Sequence, residues 1–148
     1  MHRSALDQLM EEARNCALMM LDNSNYIRRE LANVQMNDAL RGQTEQLCTS
    51  LLGTAHDVMH ELSELAELLE SQASDAVISS YVDRIIRWLQ QDIDSMHQLV
   101  TALESADARG EDCGLALVLV TESAANILHP FGRAKKAATP FQPKADGA

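Results

Sequence analysis

Between Leu47 and Leu69 the apolar residues Leu47, Leu51, Ala55, Val58, Leu62, Leu65 and Leu69 recur at steps of three and four. That spacing lines them along one side of an α-helix. A second line, Cys48, Leu52, Met59 and Ala66, runs beside the first. The combined arc is wider than a two-stranded coiled coil needs. A helix of this kind must touch at least two neighbours, as in a bundle.

The same period extends through the chain. Leu6, Met10, Ala13, Ala17, Met20, Ile27, Leu31 and Val34 hold one phase, which passes through the turn-like Asp22-Asn23-Ser24-Asn25 without a slip. The pattern therefore predicts a continuous first helix, capped near Ser4, rather than a break at 22–25. The phase slips at Leu40, which puts the first turn around Met36–Gly42, with Thr44 as the next cap. A single long helix from about Asn25 to Leu69 is the competing reading. Ser71-Gln72-Ala73-Ser74-Asp75 is the clearest loop, with Ser74 or Asp75 as a cap. The third helix follows to about Ala106 on an inner line of Ile78, Val82, Ile85, Leu89, Ile93, Met96, Val100 and Leu103. Asp107-Ala108-Arg109-Gly110 forms the last turn. The fourth helix then runs from about Glu111 to His129, because Pro130 disfavours helical geometry in the residue before it.

These elements predict an all-α, up-and-down four-helix bundle with three long helices and a shorter fourth. Residues 1–131 form the bundle domain, and 132–148 a basic, disordered tail. A short fourth helix would leave an apolar groove on helices one to three, the kind of surface that takes a partner or a second copy. Aromatic content of 3% and seven Met suit helices better than strands.

Charge is unevenly spread. Residues 1–132 carry eight Arg, no Lys and 21 acids, a sum of −13, whereas 133–148 carry Arg133, Lys135, Lys136, Lys144 and Asp146, a sum of +3. An acidic body repels phosphate backbones and anionic membranes, so direct nucleic-acid binding by the body is disfavoured. The longest apolar run, Leu115–Val120, falls short of the roughly 20 residues a membrane span needs. Cys16, Cys48 and Cys113 make neither a CxxC pair nor a zinc pattern. An odd count without a signal peptide points to a reducing, cytoplasmic setting.

His56, His60 and Glu64, at i, i+4 steps, are the candidate metal ligands, since two imidazoles and a carboxylate suit a divalent metal such as Zn²⁺. Glu67 stands nearby. The stripe lies opposite Val58 and Leu62 and so faces outward, where a complete site needs a further ligand. An exposed His on a four-helix bundle also resembles histidine phosphotransfer domains. Their His is followed by Lys and Gly, whereas His56 here precedes Asp57 and His60 precedes Glu61, carboxylates that repel a phosphohistidine. Asp94 and His97 sit at the edge of the third helix's apolar arc. No Glu-x-x-His, nucleophile elbow or phosphate loop is present. Glu122 follows the apolar run and is expected to face solvent. Tyr81, Trp88 and Leu99, on a second line of the third helix, are the candidate partner-binding stripe, because aromatic anchors often form interfaces.

The sequence thus leads to a non-enzymatic protein–protein interaction module that self-associates as a homodimer and presents an acidic face to a basic partner. The alternatives are a metal- or small-ligand-binding sensor bundle using His56, His60 and Glu64, and a phosphotransfer-like domain. No cofactor is called for beyond a possible divalent metal.

Overall fold

The computed structural model describes residues 2–142. Four helices pack into one bundle: α1 Arg3–Glu30, α2 Asp38–Glu70, α3 Asp75–Ala108 and α4 Gly114–Ala138, with single 3-10 turns at Leu31–Asn33 and Thr139–Phe141. Each helix contacts the next in the chain, and α4 closes the ring against α1. The diagonal pairs α1/α3 and α2/α4 barely touch. Among the described residues there is no strand. This is the expected all-α, up-and-down bundle.

The stripe from Leu47 to Leu65 faces the core, and so does the inner line of α3 from Ile78 to Leu103 apart from the partly buried Val100. Helix α1 does run unbroken through residues 22–25. Two of its four turn-prone side chains, Asn23 and Ser24, are buried and bonded there. Asn23 Nδ2 donates to the Met19 carbonyl at 2.7 Å, and Ser24 Oγ donates to the Cys48 carbonyl at 2.7 Å. Both groups would favour a turn in isolation. Tying them to backbone carbonyls removes that competition.

The first turn lies earlier than the apolar phase suggested. Helix α1 ends at Glu30 and α2 begins at Asp38, capped by Asn37, whose Oδ1 accepts from the Leu40 amide at 2.8 Å. Ser4 is inside α1, and Gly42 and Thr44 are inside α2; none of the three ends a helix. Leu31 and Val34 are still buried, so the apolar rhythm outlasts the helix that started it. The carbonyls freed at this end go to Arg41, which donates to Leu31 O at 2.6 Å and Val34 O at 2.8 Å. A long helix from Asn25 is thereby excluded.

The α2–α3 turn falls where composition placed it, whereas the last turn runs on to Cys113, so α4 begins at Gly114 rather than near Glu111. Ser74 caps α3 by accepting from the Val77 amide. At the C-termini of α2 and α3 the chain reverses through paired 6→1 and 5→2 bonds: Ala73 N to Leu68 O with Gln72 N to Leu69 O, and Glu111 N to Ala106 O with Gly110 N to Asp107 O. The residue in the left-handed region is Gly110 in one (φ 86°) and Gln72 in the other (φ 58°).

Helix α4 corrects the expected end at His129. It continues through Pro130 to Ala138. A mid-helix proline costs about 3 kcal/mol, but here Pro130, Phe131, Ala134, Ala137, Ala138 and Phe141 are all buried. Burying a Phe returns about 1.5–3 kcal/mol, and two of them are buried beyond the proline. Arg133, Lys135 and Lys136 therefore belong to the bundle rather than to a tail. The rest of the expected tail, residues 143–148, lies outside the described residues. The extension adds Phe131 and Phe141 to the core beyond the point where a short fourth helix was expected to end. By length and composition Gly114–Phe141 could cross a membrane, yet Ala116, Val120, Ile127 and Ala134 face the core.

Two stability effects follow. Arg41→Ala should lower the unfolding free energy by about 2 kcal/mol, since charge-assisted bonds to part-buried carbonyls are lost. Gln72→Gly should raise it by about 1 kcal/mol by relieving the left-handed backbone. Urea titrations of both variants check this. A stable Arg41→Ala chain would remove the guanidinium from its capping role.

Candidate functional site

The two sequence-picked constellations meet on one seam. On α2, His60 Nε2 lies 2.8 Å from Glu64 Oε1. From α3, the Tyr81 hydroxyl donates to the other oxygen of Glu64 at 2.9 Å. Arg84 stacks over the Tyr81 ring at 4.7 Å and reaches Glu61 Oε2 at 3.4 Å. His60, Glu64, Tyr81, Arg84 and Glu61 thus form one chain of contacts across the α2/α3 seam. The Glu64 hydrogen bond is the main cause that holds the Tyr81 hydroxyl above its ordinary pKa.

This arrangement does not build the metal site. His56 and His60 are exposed, and Glu64 spends both oxygens on His60 and Tyr81. Among the described residues no group of three or more His, Cys, Asp or Glu side chains stands close enough to hold a metal ion. The physical reason is that one helix face supplies ligands in a row, and no neighbouring helix adds another from the side. Glu67 is exposed, as are Asp94, His97 and Glu122. The expected partner stripe also divides. Leu99 is 1% exposed and packs in the core, so it is unavailable to a partner. Trp88 is half-buried against that core, and Tyr81 is engaged with Glu64 and Arg84. The wide arc of α3 packs within its own bundle.

The core holds polar groups that the sequence reading passed over. Asp92 is 4% exposed; its Oδ1 accepts from Ser50 Oγ at 2.6 Å, and its Oδ2 has no hydrogen-bond partner. Ser123 Oγ is likewise unpartnered, and so is Glu61 Oε2 beyond its ion pair with Arg84. The signal for these was present. Asp92 falls seven residues after Ile85 and seven before Leu99, and Glu61 falls three after Val58 and four before Leu65, both inside the apolar arc. Ser50 also lines a polar groove of about 280 Å³ with Gln43, Gln46, Ser95 and Gln98. These side chains offer hydrogen bonds but neither a nucleophile–base pair nor a cation.

All three cysteines are buried and unpaired. Burial, and to a lesser degree the charges of Asp92 and Glu12, push the Cys16 thiol up to about 12. Burial likewise raises Cys48 and Cys113. Such thiols are poor nucleophiles; Cys16 instead donates to the Ile127 carbonyl.

The two most exposed large apolar side chains lie elsewhere, with Tyr26, slightly less exposed than Leu18 at 41%, beside them. Leu115 and Val118 on α4 are 69% and 53% exposed, and Tyr26 on α1 is 39% exposed. Together they wall a groove of about 350 Å³ between α1 and α4, floored by Val34 and Leu119 and edged by Glu30 and Glu122. Leu115–Val120 is apolar on every side, so helical periodicity alone does not single out this face. The chain matches no protein-family model, and no curated protein or solved structure is significantly similar to it.

The thiol environment gives a pH dependence with a defined sign. Unfolded Cys16 releases its proton near its ordinary value of 9.0, whereas the folded chain holds it to about 12. The stabilisation is complete below pH 9 and is lost as pH rises toward 12. Between about pH 8 and about pH 10.5 the parent chain should lose about 2 kcal/mol more stability than Cys16→Ala. Equal losses in urea titrations would remove Cys16 as the source.

Proposed function

We propose that this chain is a non-enzymatic interaction module that associates with a second copy of itself through the outer face of α1 and α4, with an acidic surface available to a basic partner. The observation that carries the reading is the clustering of Tyr26, Leu115 and Val118 on one open groove. Isolated exposed apolar residues are ordinary on a protein surface. Three of the six large exposed ones gathered at one groove favour a contact surface. On α3 Leu99 is buried and Tyr81 is engaged with Glu64 and Arg84, which favours α4 over the Tyr81–Trp88–Leu99 stripe as the contact surface. Three unpaired, buried thiols fit a reducing compartment such as the cytoplasm.

Few large side chains are involved, so the contact belongs to the small end of interface sizes and should dissociate on dilution. Sedimentation velocity over a dilution series tests this. The parent chain should pass from twice its mass of 16.3 kDa toward 16.3 kDa as it is diluted. Leu115→Asp combined with Val118→Asp should sediment as a monomer at every concentration, with its helical circular dichroism unchanged. A parent chain that is monomeric throughout sinks the reading. An oligomer that a chelator dissolves would instead return His56 and His60 to consideration.

A further inference from the structure

The α3–α4 turn and helix α4 together carry their charge in two blocks, with Glu111 and Asp112 lying in the turn before the helix begins at Gly114. Residues 111–126 hold Glu111, Asp112 and Glu122 and no base, a sum of −3. Residues 127–142 hold Arg133, Lys135 and Lys136 and no acid, a sum of +3. From Leu115 the outward line runs through Val118, Glu122, Ala125 and His129 to Lys136, and all six are exposed. Acids near a helix N-terminus and bases near its C-terminus also suit the helix's own dipole. That benefit fades within the first and last turns, and Glu122 lies beyond it. Among the described residues, neither Glu122 nor Lys136 makes an ion pair or a side-chain hydrogen bond within the bundle.

We propose that α4 packs antiparallel on α4 of a second copy, about a two-fold axis beside Ala125. The proposal rests on the self-association reading above and adds its geometry. In this register, Glu122 faces His129 of the second copy, with Arg133 of the second copy one turn away. Leu115 lies under the aliphatic stem of Lys136 of the second copy, whose ammonium extends toward Asp112. Val118 meets Gly132 of the second copy. The axis passes where the side chain is small, at Ala125, so the two backbones can approach closely. A two-fold contact is self-complementary, so every such pair occurs twice.

Charge decides the direction. A parallel pairing with the same face would set Glu122 against Glu122 and Lys136 against Lys136. Like charges placed opposite one another disfavour that arrangement, whereas the antiparallel one sets Glu122 and Asp112 of one copy near Arg133 and Lys136 of the other, although Arg133 also lies 3.8 Å from Glu12 of its own bundle. Tyr26, beside Leu115 and Val118 in the same groove, extends the contact onto α1.

Thiol cross-linking tests the register. The native cysteines are at most 1% exposed, so a short bismaleimide reacts only with an introduced thiol. In the full chain, Ala125→Cys should cross-link to itself in most molecules at dimer-forming concentration. Leu115→Cys alone and Lys136→Cys alone should not, but a mixture of the two should cross-link. A dimer by sedimentation in which Leu115→Cys joins itself, or in which Ala125→Cys does not, overturns the antiparallel register while leaving self-association standing. A chain that never dimerises overturns both.

Discussion

Apolar burial drives four helices together but does not by itself fix their vertical offsets, because a core of similar aliphatic side chains packs tolerably in several registers. Here hydrogen bonds key α1 to both of its neighbours at one level. Ser24 reaches the Cys48 carbonyl of α2, and Asn126 of α4 donates to Asn23 Oδ1 at 3.3 Å. A slip of one turn along either seam would strand buried polar atoms, at a cost of about 1–3 kcal/mol each. Since α1 lies between α2 and α4, these contacts place both of them, and α3 completes the ring. At the far end Asn37 donates to Glu111 at 2.9 Å, joining the α1–α2 turn to the α3–α4 turn.

Most of the fold was legible because its determinants are local. A wide apolar arc at helical spacing names the helix and its inward side without knowledge of the neighbour. The same logic explains the errors. Leu31 and Val34 are buried beyond the end of α1, in a 3-10 turn and the extended residue after it, so the apolar phase could not mark where α1 stops. The stop is set by Arg41, ten residues beyond Leu31. Pro130 illustrates the opposite case. Its local preference is against a helix, and the burial of Phe131 and Phe141 outweighs it, a tertiary effect no window of residues contains.

The proposed contact surface was less legible for a physical reason. Periodicity reports which side of a helix is apolar, but α4 is apolar on several sides between Leu115 and Val120. Which of those residues remains uncovered depends on where α1 and α3 sit, so Leu115 and Val118 could not be told from Ala116 and Val120. Conversely, Asp92 and Glu61 could have been found, since each interrupts an inward arc at a regular position. Charged residues at such positions are buried at an energetic cost and therefore tighten the requirement for one packing arrangement.

The rings of His2 and Phe141 meet edge to face, 5.9 Å between centroids. The two ends of the described chain consequently leave the bundle side by side, at the same end as the α2–α3 turn. A closed loop of this kind can be spliced into a surface turn of a host protein without prying the host apart, because the entry and exit points already coincide. The bundle is geometrically suited to travel as a cassette, carrying α4 and its outward face wherever the host presents it.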